Sequence, residues 1–126
     1  MSIMKAIEMR KHYALAALFS SNDDDGVPLN NEHGLEDIDP GSWGKMLIDC
    51  QEFIDAHEDD LYTWDAGRTT ATEQAGHDLW LTRNGHGAGF WESEWGDVGE
   101  QLSEAAKAMG EINLYIGDDG LIYSLQ

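Results

Sequence analysis

The spacing of apolar residues predicts two helices in the first half of the chain. One spans residues 3–19, where apolar side chains recur at helical intervals. The other begins at Asp39-Pro40, an acidic N-cap followed by proline at the first helical position, and continues to about Asp59. We expect both helices to pack their apolar stripes on the core. The stripe residues are Met4, Ile7, Ala14, Leu15 and Leu18 in the first helix and Leu47, Cys50, Phe53, Ile54, His57 and Leu61 in the second.

The apolar period changes from helical to alternating in the second half. Residues 77–83 and 88–92 each alternate between two faces, and Asn84-Gly85-His86-Gly87 separates them. Asn-Gly between two alternating runs is the strongest short-range signal of a β-hairpin. The pattern therefore predicts a glycine-rich hairpin from Gly76 to Trp91.

A third helix and a second hairpin complete the chain. Residues 98–109 again show a helical stripe, and Gly110 is the expected stop signal. The final hairpin pairs residues 112–116 with 121–125 around a turn rich in Gly and Asp. Residues 20–39, which carry Gly, Pro, Asn and Asp in abundance, predict a long loop between the first two helices.

This order of elements predicts an α+β fold. N-terminal helices are followed by β-β-α-β-β, and the four short strands make an antiparallel sheet packed by helices. A chain of 126 residues has the length of one domain. We expect a single domain over 1–126, with a helical, acidic half at 1–66 and the β-β-α-β-β half at 76–126.

The charge of the chain is its most unusual property. There are 25 Asp and Glu residues against 7 Lys and Arg, which gives a formal net charge of −18. Such a surface repels DNA, RNA and anionic membranes, so the expected partners are cations or basic protein surfaces. Residues 21–66 hold more than half of the acids and a single base, Lys45.

The cysteine content and the hydropathy favour a reducing compartment. Cys50 is the single cysteine, so no internal disulfide forms, and its place on the apolar side of the second helix predicts a buried thiol. The N-terminus has no apolar signal-peptide core, and no run approaches 18 apolar residues. We therefore expect a cytoplasmic protein.

Four segments of the chain are distinctive: GHDLWLTRNGHGAGFWE at 76–92, ALFSSNDDDGVPL at 17–29, DCQEFIDAH at 49–57 and YIGDDGLIY at 115–123. They resemble a family of small uncharacterised proteins of tailed bacteriophages and related mobile elements. The resemblance implies a phage-type gene product that acts in the cytoplasm of an infected bacterium. It implies no activity and no site residues.

The tip of the glycine-rich hairpin is one candidate site. Arg83, Asn84 and His86 together are suited to binding an anion or contacting a partner, although turn geometry alone also accounts for the glycines. His77, Asp78 and His86 lack the spacing of a metal site. We expect no metal there.

Sequence motifs of catalysis and of cofactor binding are missing. The acids Asp23–Asp25 lack the alternating ligands of an EF-hand calcium loop. The chain contains neither the G-x-S-x-G motif of a nucleophilic serine nor a phosphate-binding loop. We therefore expect a protein that is not an enzyme and needs no cofactor.

The acidic segment before the hairpin is the other candidate site, and it carries the leading hypothesis. A folded array of carboxylates can occupy the groove in which a basic protein binds DNA phosphates. The sequence thus predicts a phage-type acidic binding protein, a DNA mimic that inhibits a host nucleic-acid-binding protein or a defence complex of the restriction or CRISPR type. The expected partner-binding residues are Asp23, Asp24, Asp25, Asp49, Glu52, Asp55, Glu58, Asp59 and Asp60.

Two alternatives remain open from the sequence. One is a small-ligand binder or accessory enzyme whose site is the hairpin tip. The other is a homo-oligomeric regulatory module, because five tryptophans are more than one small core readily buries and exposed aromatics mark interfaces. Those tryptophans are Trp43, Trp64, Trp80, Trp91 and Trp95.

Overall fold

The structure of the protein is a computed structural model. It describes residues 3–23, 25–62, 71–85, 90 and 99–125, and it gives the backbone alone for residues 3–4, 58–62 and 71.

Four α-helices and one β-hairpin make up the regular structure of this part of the chain. The helices are α1 (Ile3–Ser20), α2 (Pro40–Tyr62), α3 (Ala71–Arg83) and α4 (Gly99–Ala108). The strands β1 (Asn113–Ile116) and β2 (Ile122–Leu125) form a two-stranded antiparallel sheet. Two short 3-10 helices, Leu29–Asn31 and Leu35–Asp37, lie in the long loop between α1 and α2.

The predicted α+β fold with a four-stranded antiparallel sheet is wrong. The described residues are mostly helical, and their one sheet has two strands. The error lies at residues 77–83, which were expected to form the first strand of the glycine-rich hairpin and which belong to α3. The second predicted strand, 88–92, lies outside the described residues apart from Phe90.

The burial of α3 explains why its sequence resembles a strand. Every residue from Asp78 to Arg83 is buried, so this end of the helix has no polar face and no helical stripe. Alternation within a short, fully buried run does not distinguish helix from strand. The Asn84-Gly85 pair ends the helix instead of turning a hairpin, and Gly85 takes the left-handed conformation, with φ of 72°.

Local sequence signals correctly locate the other elements. Asp39 caps α2, because its Oδ2 accepts a hydrogen bond from the backbone N–H of Ser42 at 3.0 Å. Gly110 follows α4 with φ of 84°, as expected of a helix stop. The pairing runs from Asn113 opposite Leu125 to Ile116 opposite Ile122, which confirms the C-terminal hairpin.

The core forms where α1 and α3 pack against each other. A Cβ built on Gly76 would lie 2.3 Å from the carbonyl oxygen of Met9, so only glycine permits this approach of the two backbones. Further along the same interface, the rings of Tyr13 and Trp80 meet edge to face with centroids 5.3 Å apart. Phe90 stacks on Phe53 of α2 with ring centroids 5.3 Å apart, so α2 also belongs to this core.

The C-terminal hairpin is attached to the helices through β2. Ile122 is fully buried, and its carbonyl accepts a hydrogen bond from the N–H of Asp39 at 2.8 Å. The N–H of Ser124 donates to Oγ of Ser42 at 3.0 Å. The start of α2 therefore covers the outer edge of β2 and fixes the position of β1 beside it.

None of the helices in the described ranges is both long and apolar enough to span a membrane.

Candidate functional site

A buried charge cluster joins four separate segments of the chain. Arg83, whose side chain is 1% exposed, donates through Nη1 to Oη of Tyr13 at 2.9 Å and to Oδ2 of Asp49 at 3.2 Å. Its Nε and Nη2 donate to the carbonyl oxygens of Gly110 at 2.8 Å and Met109 at 3.0 Å. The second carboxylate oxygen of Asp49 accepts from Nζ of Lys45, one turn earlier on α2.

This cluster is built for structure. The guanidinium has an acceptor at each of its three nitrogens, so its desolvation is compensated. Burial raises the pKa of Tyr13 well above its usual range, which keeps the hydroxyl protonated. Four of the five N–H groups of Arg83 are engaged by described residues, and the side chain is 1% exposed, so it is not accessible to an incoming anion.

Two of the three residues predicted at the hairpin tip have structural roles at the end of α3. Arg83 is buried, and Asn84 caps the helix end by donating through Nδ2 to the carbonyl of Trp80 at 2.9 Å. Oδ1 of Asn84 accepts the N–H of Ile112 at 2.9 Å, which ties α3 to the entry of β1. His86, the third residue, lies outside the described part of the chain.

The predicted acidic face is only partly present on the surface of α2. Asp49 is 2% exposed, because its carboxylate points inward to Arg83, so it does not belong to a surface array. Glu52 and Asp55 are exposed. The side chains of Glu58, Asp59 and Asp60 lie outside the described residues.

The acidic loop places its two described carboxylates differently. Asp23 is half-buried, and its Oδ1 accepts the N–H groups of Asp25 and Val27, each at 2.9 Å, so it shapes the turn. Asp25 is exposed. Asp24 lies outside the described residues.

Many other carboxylates are exposed without an ion pair. Among the residues whose side chains are described, those exposed and lacking a cationic partner are Asp25, Glu32, Glu36, Glu52, Asp55, Glu100, Glu104, Glu111, Asp118 and Asp119. They lie on α2, on α4, in the loops and in the turn of the hairpin. The negative charge is therefore distributed over the surface, beyond the segment that the sequence singles out.

Three of the seven Lys and Arg residues have partners that the structure describes. Arg83 and Lys45 both bind Asp49. The guanidinium of Arg10 lies over the ring of Trp43, 4.0 Å from its centroid, in a cation–π contact. Because the cluster holds two cations and one anion, the rest of the chain is more negative than the total of −18.

Two residue types of chemical interest have structural roles. Cys50 is fully buried, as expected, and burial raises the pKa of its thiol well above the usual range. Trp80 is also buried, and its Nε1 donates to Oγ of Ser20 at 2.8 Å. Trp64, Trp91 and Trp95 lie outside the described residues, so their exposure stays a prediction.

Within the described part of the chain, no three His, Cys, Asp or Glu residues are grouped as a metal site.

Compared with protein-family models, with curated proteins and with solved structures, the chain has no match.

The sequence interpretation missed the cluster around Arg83. Its partners are distant along the chain, at positions 13, 49, 109 and 110. One signal was present: an arginine two residues after the apolar run Leu79-Trp80-Leu81 is either at a helix end or buried with an acid.

Proposed function

We propose that this protein is an acidic binding protein that occupies the basic, nucleic-acid-binding surface of another protein, as a DNA mimic. The observation that carries the proposal is the set of exposed carboxylates that have no cationic partner in the described part of the chain. Arg83 and Lys45 are engaged by Asp49 and Arg10 by Trp43, whereas exposed carboxylates such as Glu52 and Asp55 have no cationic partner among the residues that the structure describes. The described surface therefore carries an excess of negative charge, which solvent ions or a basic partner can compensate.

The chemistry of such a surface selects a partner rich in Lys and Arg. A protein that binds DNA places cations where phosphates recur every ~3.4 Å along a strand. Glu52 and Asp55 are three residues apart on α2, a rise of roughly 4.5 Å, and they lie on neighbouring positions of the helix surface. Complementary potentials accelerate the encounter and release the counterions of both surfaces.

The resemblance to bacteriophage proteins suggests the setting of this activity. A phage product gains from blocking a host protein that attacks DNA, and an acidic surface repels DNA while it attracts the DNA-binding groove. The proposed target is thus a host nucleic-acid-binding protein, with restriction and CRISPR-type defence complexes as the first to test.

Competition with DNA tests this function. The immobilised protein is incubated with a bacterial lysate, and the retained proteins are eluted with a duplex DNA oligonucleotide at constant salt. We expect nucleic-acid-binding proteins to be retained and then displaced by the duplex. The charge reversal Glu52→Lys/Asp55→Lys should abolish retention, while circular dichroism stays unchanged.

The matched control changes the net charge equally at another place. Glu100→Lys/Glu104→Lys reverses two exposed carboxylates of α4. Under the proposal, this variant still retains the partner. Equal losses in both variants would indicate nonspecific ion exchange, and retained proteins that the duplex does not displace would rule out mimicry.

A further inference from the structure

The outer edge of β1 is an open strand edge. In an antiparallel pair, residues alternate between directing their main-chain groups toward the partner strand and away from it. Gly117 N–H donates to the carbonyl of Leu121 at 2.8 Å, so this pair directs its groups inward. By alternation, Leu114 and Ile116 of β1 direct their N–H and C=O groups outward.

The contacts of β2 confirm this alternation of inward and outward main-chain groups. Ile122, opposite Ile116, directs its carbonyl away from β1 to the N–H of Asp39. Ser124, opposite Leu114, directs its N–H to Oγ of Ser42. The outward groups of β2 are thus satisfied by the start of α2. Those of Leu114 and Ile116 have no hydrogen-bond partner in the described part of the chain.

A groove runs along this open edge. One cavity of about 540 Å³ lies beside residues 114–116, and another of about 270 Å³ lies beside residues 111–114. The two share Asn22 and Leu114, so they form a continuous groove between β1 and the loop that follows α1. The opposite wall is formed by Ser20, Ser21, Asn22, Asp23, Asp25 and Leu29.

The charge of the groove defines its occupant. Asp23, Asp25 and Glu111 line it, and no Lys, Arg or His is found among the described residues that line the two cavities. A second copy of this chain would bring another −18 charge to the edge. An extended segment with Lys or Arg side chains is attracted instead, and its backbone can complete the hydrogen bonds that Leu114 and Ile116 leave unmade.

We propose that the outer edge of β1 binds an extended, basic segment of the partner protein, which adds a third strand to the hairpin. This inference rests on the proposed function, since it assumes that the partner is a basic protein. Main-chain hydrogen bonds to Leu114 and Ile116 hold the segment, while Asp25 and Glu111 select its cationic side chains. Asn84, which already binds the N–H of Ile112, marks the end of the free edge.

Amide hydrogen exchange of the intact protein tests the proposal directly. The probe is a ten-residue synthetic peptide of alternating lysine and valine with blocked termini. We expect the amides of Leu114 and Ile116 to exchange rapidly in the free protein and to become protected when the peptide binds. The amide of Tyr115, which already faces β2, should change little. Absence of binding, or binding that leaves the two outward amides unprotected, would overturn the proposal.

A proline substitution provides the matched pair of variants. Ile116→Pro removes an outward N–H that β2 does not use, and Ile116→Ala removes the same side chain but keeps the N–H. We expect the proline variant to bind the peptide roughly tenfold more weakly than the alanine variant, as the loss of a backbone hydrogen bond implies. Equal affinities in two folded variants would contradict strand addition. If the proline variant does not fold, the exchange measurement on the unmodified chain decides.

Two further outcomes distinguish strand addition by a basic partner from dimerisation at this edge and from the proposed function alone. Protection of Leu114 and Ile116 that appears on raising the protein concentration alone, together with a dimer in sedimentation, would assign the edge to a second copy and overturn the proposal. Lysate proteins that the Ile116→Pro and Ile116→Ala variants retain equally would also overturn it. In that case the loss of those proteins in Glu52→Lys/Asp55→Lys would leave the proposed function intact.

Discussion

Arg83 and Asp49 lie 34 positions apart in the sequence, yet Nη1 of the arginine donates to Oδ2 of the aspartate at 3.2 Å. Both side chains are almost fully buried, at 1% and 3% exposure. The pair joins α2 to α3, and the other bonds of the guanidinium extend the connection to α1 and to the end of α4.

Removal of the aspartate should be costly. Asp49→Ala leaves the Arg83 guanidinium buried without its counter-charge, and we expect the free energy of unfolding to fall by ~3–5 kcal/mol. Urea denaturation followed by circular dichroism measures this change. The control Glu52→Ala removes an exposed carboxylate of the same helix and should alter stability by no more than ~0.5 kcal/mol. Similar losses in the two variants would contradict the role given to the pair.

Alanine substitutions at two helical glycines should have opposite effects on stability, because Gly76 lies at the contact between α1 and α3 and Gly44 lies in open space on α2. Gly76→Ala places a methyl group against the carbonyl of Met9, and we expect a loss of ~1–3 kcal/mol from overpacking. Gly44→Ala on α2 meets nothing within 4 Å, so higher helix propensity should raise stability by up to ~1 kcal/mol. Thermal unfolding of the two variants beside the unmodified chain decides. Stabilisation by Gly76→Ala would contradict the close packing of these helices.

Cys50 should be inert in the folded protein. Its thiol is fully buried, and burial raises its pKa, so little thiolate is available to react at neutral pH. We expect a disulfide reagent such as Ellman's to label the native chain only at the rate of unfolding. In urea above the unfolding midpoint, labelling should be complete and rapid. Fast labelling under native conditions would show that the thiol is accessible.

The turn of the hairpin predicts a specific pH dependence. Oη of Tyr123 donates to Oδ2 of Asp119 at 2.6 Å, and this bond lowers the pKa of the carboxyl group and raises that of Tyr123 to about 12. Since the folded pKa of Asp119 is below its unfolded value, the bond stabilises the hairpin above the ordinary carboxyl pKa. This contribution is lost as the pH falls through the lowered one. It is lost again as the pH rises from the ordinary pKa of tyrosine, ~10, toward 12.

Titration of the Asp119 carboxyl by NMR measures this effect. Tyr123→Phe removes the donor, so we expect the pKa of Asp119 to rise toward its ordinary value. Tyr115→Phe is the matched control, because Tyr115 stacks on Tyr123 without contributing to the lowered pKa. A carboxyl pKa that is the same in Tyr123→Phe and the unmodified chain would contradict the bond.

The elements that the sequence predicts correctly are those with a local signal. Asp39-Pro40 marks the start of α2 and Gly110 the end of α4, and each signal acts through the backbone of its own segment. The strand predicted over 77–83 fails because the burial of α3 depends on α1 and α2, which are distant in sequence. Residues 78–83 have no polar face, so this end of the helix shows no helical period in the sequence.

The residues of the candidate site divide in the same way, between those whose exposure follows from their own chemistry and those whose position depends on a distant partner. Glu52, Asp55 and Asp25 are exposed, as a count of charges leads one to expect, because an unpaired carboxylate stays in water. Asp49 has the same chemistry and the same helix, but a buried cation on α3 draws it inward. Helical spacing places Asp49 nearer than Glu52 to the buried side of α2, but its partner on α3 is specified only by the packing of the helices.

Two of the acceptors that hold Arg83 are main-chain carbonyls, those of Met109 and Gly110. A carbonyl is present whatever side chain a residue carries, so evolutionary drift at position 109 leaves its bond to the guanidinium in place. Of the groups that bind Arg83 directly, only those at positions 13 and 49 can be lost through a single codon change. In chains that descend from the same ancestor, we therefore expect position 83 to covary with 13 and 49, and position 109 to vary independently.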